Sequence, residues 1–520
     1  MRRHRRIGLL SVVCCAALIA ASCGDDDDGG TGAAGTEAET EATDAGTEAT
    51  EAETEATETE ATEAETEATE AETGDTEAPD ETAGGGGGPP VGEDGQGAEE
   101  WAAALEAAES SPLAADDSLE PFVIGLPNLE GDAGGTFPDV GEGAQAAVKF
   151  INEKLGGIGA DLEAGTPGRP VELVYCPHVV DQNEAQACAN EIASANPNVV
   201  MVGVDFFTPL MYPLFANFPV IETLPIFIAD FDQPGVVSPF GGCPTAFPSS
   251  AQMIAEIKEH DRLAVIWDQN APGEECWRDT QERFYQHYAD TMEGFEFQGF
   301  PTTPGETAGQ PAVIQQVSDY LDGAENPAVY FGISAAECAQ FITGLAGAGV
   351  DAQIYIADSC TSDAVKGLSE SDGVIFELQG YLLDQPELNS DFVNAELAAR
   401  EAAIEEFGPE TPLTSYTRQA FSGVVFIYQV ANQMAADGGD IDDREALRDA
   451  FMGVDNYHVV GYRPISCVDN PSEYESVCAH TATFAAWDGS TFTIDEAIPD
   501  GVIDVRELME AVEQEFPRGG

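Results

Sequence analysis

Positive charge is what this chain lacks. Its 520 residues hold 19 Lys and Arg against 96 Asp and Glu, a formal net charge of −77. No Lys or Arg occurs between Gly24 and Glu100, where 27 of the acids lie. Four of the bases lie in Met1–Ala21, so the remainder holds 69 acids and 15 bases, or −54. The body is therefore acidic in its own right. Nucleic acid is excluded as a partner, and anionic surfaces are disfavoured. A solvated surface tolerant of salt accounts for this balance as well as any cationic ligand does. Metal chemistry has little support: there is no Cys-x-x-Cys, and His178, His260, His287, His458 and His480 are scattered. Gly-x-Ser-x-Gly, His-Glu-x-x-His and Gly-x-x-x-x-Gly-Lys are all missing, which removes the usual signals of serine hydrolysis, zinc proteolysis and phosphate binding. Acid pairs abound only because acids abound, and so give no glycosidase signal. The chain reads as a protein without enzymatic activity and without a cofactor.

The segment before residue 101 is mostly not fold. Arg2, Arg3, Arg5 and Arg6 precede an apolar run, Ile7–Ala21, and then Ser22-Cys23. A basic end, a short apolar run and small residues make a secretory leader over residues 1–22, too short for a lasting membrane span. Cys23 resembles the acceptor cysteine of bacterial lipoproteins, although Ala20 stands where those usually carry Leu. The resemblance implies diacylglycerol on the Cys23 sulfur and a lipid bilayer as a partner. Residues 23–118 read as a tether: the acid run Asp25–Asp28, Thr-Glu-Ala units, then Gly84–Gly88. One sign of charge with little hydrophobicity cannot offset chain entropy, so this tether is expected to be disordered. Thr and the repulsion between Glu residues four apart oppose the helix that Glu and Ala favour. A coil of this length spans ~50 Å r.m.s.. The body is then expected outside the cytoplasmic membrane, held to its outer face.

Of 11 Cys, Cys14 and Cys15 fall in the leader and Cys23 at the lipid position. Eight remain, an even number in an exported chain, which supports disulfides. Eight cysteines allow 105 connectivities. The sequence offers four neighbouring pairs: Cys176 with Cys188, Cys243 with Cys276, Cys338 with Cys360, and Cys467 with Cys478.

From residue 119 apolar runs alternate with helical periodicity. Phe122–Leu126, Pro170–Tyr175, Val199–Val204 and Pro225–Ala229 read as strands, with helices at Ala144–Asn152, Asn183–Ser194 and Tyr212–Phe218 between them. A second series follows Cys243: strands at Arg262–Trp267, Ala328–Gly332 and Gln353–Ala357 alternate with helices such as Glu274–Met292 and Ala335–Gly349. Thr417–Ala435 is a strongly apolar helix, and Tyr462–Asp488 reads as a closing hairpin region. The fold class is α/β with parallel sheets flanked by helices, in two lobes. Ligands of open α/β sheets bind beyond the carboxyl ends of the strands. Two facing sheets place one in the cleft between them.

This order resembles the type I periplasmic solute-binding proteins, the branch containing the Leu/Ile/Val-binding proteins of ABC importers. The resemblance is carried by Val123-Ile124-Gly125-Leu126, Lys149-Phe150-Ile151-Asn152-Glu153 with Gly156-Gly157-Ile158, Val171–Tyr175, Ala185–Ile192, Leu263–Ile266 with Gly273-Glu274, and Ala346–Val350. It implies the two-lobed type I periplasmic-binding-protein fold over residues 119–500, with crossover strands as a hinge. Lobe one would span about 119–244 and 380–455, and lobe two about 245–379 and 456–500, with 501–520 as a C-terminal extension. The apolar helix at 417–435 would return to lobe one. The partners implied are a small-molecule solute of the amino acid, amine or amide class and an ABC permease, the protein itself being a monomer. A sensing receptor on the same fold is the alternative; an exported hydrolase is the rival from another class.

The resemblance also places the ligand. In amino-acid binders of this kind hydroxyls and backbone N–H groups after the third and fourth strands hold the carboxylate. Here those loops are Asp205-Phe206-Phe207-Thr208-Pro209 and Asp230-Phe231-Asp232. Thr208 is a candidate hydroxyl, or a plain helix cap. Phe206 and Phe207 suggest an apolar wall. Asp230 and Asp232 would repel a carboxylate. Asp358, after the strand at 353–357, matches the acid that meets a ligand ammonium, and could equally cap the next helix. Lobe two offers Pro272 and Ser334 where aromatics are usual, with Trp267, Asn270 and Phe331 as substitutes, Phe331 reading first as a core residue. Asn128, Thr136 and Phe137 complete the candidates from the first loop.

Overall fold

The computed structural model describes residues 95–131, 136–333, 335–381, 385–386, 389–408, 414–498 and 501–518. The leader, Cys23 and the tether up to residue 94 lie outside them, as does Ser334. The tether expected over 23–118 does not extend that far: α1 (Ala98–Ser110) is part of the folded body. Its Ala98, Trp101 and Ala104, three apart, bury one stripe, with Trp101 only 2% exposed in the first lobe's core. Glu99, Glu100, Glu106 and Glu109 continue the tether's acidity on the other faces, which is why composition hid the helix.

Lobe one begins with β1 (Phe122–Leu129), α2 (Pro138–Lys154), β2 (Val171–His178), α3 (Gln182–Ala195), β3 (Val199–Val202), α4 (Thr208–Phe215), β4 (Val220–Glu222), α5 (Ile228–Asp232) and β5 (Val236–Val237). The strands form one parallel sheet in the order β2-β1-β3-β4-β5. Helical returns between successive strands require that direction. The stretch 225–229 is not the strand its apolar run suggests. Pro225 has no N–H for a ladder, and the Asp230 carboxylate accepts the N–H groups of Ile226 and Phe227 at 2.9 and 2.7 Å, turning the chain into α5. The strand is the short Val220–Glu222 run just before it.

Lobe two contains α6 (Gly242–Ala251), β6 (Arg262–Asp268), α7 (Ala271–Cys276), α8 (Arg283–Thr291), β7 (Glu296–Thr302), α9 (Gln310–Leu321), β8 (Pro327–Gly332), α10 (Ala335–Ala348), β9 (Gln353–Ile356), α11 (Asp363–Lys366) and β10 (Ile375–Leu378). The chain then adds α12 (Asp391–Phe407), α13 (Ser415–Ala436) and α14 (Arg444–Met452) to lobe one, and β11 (Thr481–Trp487), β12 (Phe492–Ile494), β13 (Ile503–Asp504) and α15 (Arg506–Glu515) to lobe two. The second sheet runs β12-β11-β10-β9-β8-β6-β7, parallel from β10 to β7 and antiparallel at β11, β12 and β13. Two expected boundaries move. Tyr457, Val459, Val460 and Ile465 belong to the first lobe's core, and Ile503, Val505, Leu508, Met509 and Val512 to the second's, so 501–520 is not an appendage. The apolar spacing of α15 closes lobe two.

Helix α13 is the main prop of lobe one. Val424, Val425, Phe426 and Ile427 are fully buried. Gly143 of α2 makes the close approach possible: a Cβ there would stand 2.1 Å from the Thr417 carbonyl oxygen. Among the described residues the lobes are joined by three connections, near 238–242, 379–381 and 461–480. They brace one another: Ser238 donates its N–H to Ser476 at 2.7 Å, Cys478 to Ser238 at 3.0 Å, and Tyr381 to Gly461 at 3.0 Å. The Gln379 amide donates to and accepts from the Gly242 backbone, both at 3.2 Å. All four neighbouring cysteine pairs are disulfides.

Candidate ligand-binding site

Where the two sheets face each other lies a cavity of about 220 Å³, lined from both lobes and the hinge. At about 30 Å³ per water this is room for about seven waters or one small solute. Lobe one contributes Phe137, at the start of α2, and Phe206, after β3; Tyr416 and Gln419 come from the first turn of α13. Lobe two contributes Asp268 and Asn270 after β6, Phe247 of α6, and Asp358 with Ser359 after β9. Gln379 and Tyr462 come from the connections. The strand-end rule therefore holds for both sheets.

The lobe-one loop is held from behind. His178, at the end of β2, meets Asp205 at 2.6 Å and the Val179 carbonyl at 3.0 Å. A carbonyl and a carboxylate both accept, so both ring nitrogens donate and the imidazole is charged. Burial opposes that charge; the Asp205 hydrogen bond and carboxylate outweigh it and raise the His178 pKa. Asp205 also accepts the Phe207 N–H at 2.7 Å. The fixed loop sends neighbouring side chains opposite ways: Phe206 lines the cavity and meets Phe137 edge-on at 6.3 Å, while Phe207 turns back against His178. Phe207 is thus not a cavity residue.

Seven other expected positions are used by the fold. Thr208 donates its hydroxyl to Asp230 at 2.5 Å rather than presenting it to a ligand. Asp230 is fully buried, holding Ile226 and Phe227, and burial pushes its carboxyl up to about 6. Tyr212 lies 2.7 Å from Asp230 and 3.0 Å from Glu222 through one hydroxyl. That oxygen has one proton to give, so a bond on each side requires one of the two carboxyls to carry a proton. Burial and the Asp230 charge raise Glu222 in the same sense. Asp232 faces Arg518 at 3.7 Å, away from the cavity. Asn128 is fully buried behind Phe137, donating to its carbonyl at 2.7 Å and accepting from the Val204 N–H at 3.1 Å. Trp267 stacks on Trp277 at 5.7 Å, and Phe331 is core. Thr136 accepts the Gly131 N–H at 2.9 Å.

Phe137, Phe206, Asn270 and Asp358 remain of the expected residues, with Pro272 beside them. Asn270 lines the cavity and accepts the Gly273 N–H at 2.8 Å as the cap of α7, so its amide N–H₂ is not used by that bond. The Asp358 carboxylate has no hydrogen-bond partner among the described residues. Burial raises it to about 6, moderated by Arg418. Tyr416, Tyr462 and Phe247 were not legible. Tyr416 follows the Thr414 capping box, a helix-start signal that says nothing about facing a cleft. Tyr462 is brought in by the return from α14. Phe137 meets Tyr416 edge-on at 5.3 Å, so the aromatics form one wall.

No protein-family model and no curated protein matches the chain. Solved structures do. A leucine-binding protein from Thermotoga maritima matches at 14% identity and TM-score 0.55, over 74% of this chain and 98% of its own. A substrate-binding periplasmic protein from Ralstonia solanacearum matches at 18% and 0.55, over 72% and 100%. A solute-binding protein of an ABC transporter from R. palustris, in complex with benzoate, matches at 17% and 0.52, over 73% and 99%. The fold is the two-lobed type I periplasmic-binding-protein fold.

Proposed function

We propose that this protein is an extracytoplasmic solute-binding protein. It captures a small solute between its lobes and delivers it to an ABC permease. The observation that carries the reading is the cavity itself. It is lined from both lobes, at the strand ends, and bounded by the connections on which the lobes turn. A ligand touching both walls stabilises the closed arrangement by its differential contacts, and closure is what a permease reads. Capture and release form no bonds, so no catalysis is involved. The solved structures that share the fold, among them leucine- and benzoate-bound transport proteins, support the reading.

Anchoring completes the proposal. Lipid on Cys23 holds the protein to the outer face of the cytoplasmic membrane. The acidic segment that follows lets the body open, close and meet the permease. The test of capture is a thermal-shift screen of the full-length protein against amino acids, amines, amides and organic acids. A bound solute at 100 times its Kd adds about 2.7 kcal/mol of stability. No shift with any small solute refutes the proposal. Metabolic labelling with an alkyne fatty acid tests the anchor: the wild type takes up label and Cys23→Ala does not.

A further inference from the structure

We infer that the solute is a small cationic amine without a carboxylate, its ammonium set against Asp358 and its apolar body against the rings of Phe137, Phe206, Tyr416 and Tyr462. The inference rests on the solute-binding reading and narrows it.

Charge is the first argument. The residues lining the cavity include two carboxylates, Asp268 and Asp358, and no Lys, Arg or His. Arg418 is the positive charge felt at Asp358. It belongs to α13 outside the lining and is held by both oxygens of Glu401, at 2.9 and 3.0 Å. Glu401 also takes Arg400 at 3.2 Å, so one carboxylate serves both guanidiniums behind the cavity, and the charges in the lining itself are the two carboxylates. The Asp358 carboxylate is partly buried at the cavity wall and has no hydrogen-bond donor among the described residues. A cation supplied by the ligand meets that carboxylate with a charge-assisted hydrogen bond.

The second argument is the fate of the donors. An anion needs several N–H or O–H groups converging on it. The Thr208 hydroxyl is given to Asp230. The Ser359 hydroxyl goes to the Ile333 carbonyl at 3.1 Å, and the Gln419 amide to the Thr223 carbonyl at 2.7 Å. The Gln379 amide is closed on Gly242, so the side-chain donors left in the lining are the Asn270 amide, the Ser415 hydroxyl and the two phenols. Tyr416 and Tyr462 keep their phenol hydroxyls; burial raises both pKa values, with Asp139 and Asp358 adding to it at Tyr416, and with Asp358 adding while Arg400 and Arg418 oppose at Tyr462. A carboxylate at those hydroxyls would meet the Asp358 charge.

Third is the wall. Phe137 holds Phe206 and Tyr416 edge-on. Aromatic faces are negative and attract a cation or its polarised methylenes; they repel an anion. The same surface covers an alkyl or aryl body. Each feature alone has other uses. Two acids, a ring wall and no basic side chain around one cavity share one chemistry.

The experiment compares matched ligands on the full-length protein by calorimetry. Phenethylamine and isopentylamine carry the ammonium alone. Phenylalanine and leucine add the carboxylate; 3-phenylpropionate and 4-methylpentanoate carry the carboxylate alone. The expected result is at least tenfold tighter binding of an amine than of its amino acid, with no binding of the acids. Asp358→Asn should weaken the amine at least tenfold and keep a cooperative melt. Tighter binding of an amino acid or an acid overturns this inference and leaves solute binding intact. Unchanged amine affinity in Asp358→Asn also overturns it. Binding of no ligand, in this set or in the wider screen, overturns both.

Discussion

Replacing Asp358 by Asn should make the empty protein more stable, and only above a certain pH. Burial raises the Asp358 carboxyl from 3.8 to about 6, with Arg418 as the moderating charge. Its field also reaches Tyr416, Tyr462 and Glu377, none of which supplies a hydrogen bond to it. A folded-state pKa above the unfolded one means that the native state resists ionising this group. Below pH 3.8 the group is neutral in both states and has no effect. Between 3.8 and 6 the native state progressively loses stability, and above 6 the loss is complete. A shift of about 2 units corresponds to about 3 kcal/mol. Unfolding entropy near 2.1 cal/mol/K per residue converts this to a melting shift. The rise is about 7 °C if a lobe of about 200 residues melts alone, and about 3–4 °C if both melt together. Scanning calorimetry at pH 4 and pH 7.5 measures it. The Asn variant should melt close to the wild type at pH 4 and about 3–7 °C higher at pH 7.5. An equal difference at both pH values, or a lower melting point at pH 7.5, refutes the picture of a strained, unpartnered carboxylate. A strained charge that its ligand relieves is a common arrangement at binding sites.

Phe206→Ala should weaken amine binding about 5- to 30-fold, the worth of about 1–2 kcal/mol of cation–π and apolar contact, with calorimetry as the readout. The neighbouring change Phe207→Ala should leave affinity unaltered, because that ring faces His178. Gly143→Ala puts a methyl 2.1 Å from the Thr417 carbonyl oxygen. It should lower stability by about 2–3 kcal/mol, read as a fall in the urea midpoint. Trp101→Ala removes a ring that is 2% exposed in the first core. A loss of about 3–5 kcal/mol in urea unfolding is expected; an unchanged midpoint would mean that α1 is not part of the body.

Much of the architecture could be read along the chain because it follows from local chemistry. Apolar strands alternating with periodic helices require parallel sheets with helical returns. Cysteines 11 to 33 residues apart pair with their neighbours because the intervening element folds back. The errors came where a local signal competed with a distant partner. The run at 225–229 has strand composition, but Asp230 takes its N–H groups. The acids of α1 continue the tether's composition, but Trp101 finds a core. Thr208 has the look of a ligand hydroxyl, but Asp230, 22 residues on, claims it.

The strongly one-signed charge, the absence of catalytic motifs, the two-lobed α/β order and Asp358 at a strand end were determined by sequence alone. Each is a property of composition or of residues close together. The chemistry of the cleft was decided by tertiary structure. Phe137, Phe206, Asp358, Tyr416 and Tyr462 come from five separate segments. They share one cavity because α13 returns to lobe one and the third connection carries Tyr462 past Gly380. Whether a hydroxyl is free or a ring faces inward depends on what packs behind it, and no spacing along the chain records that.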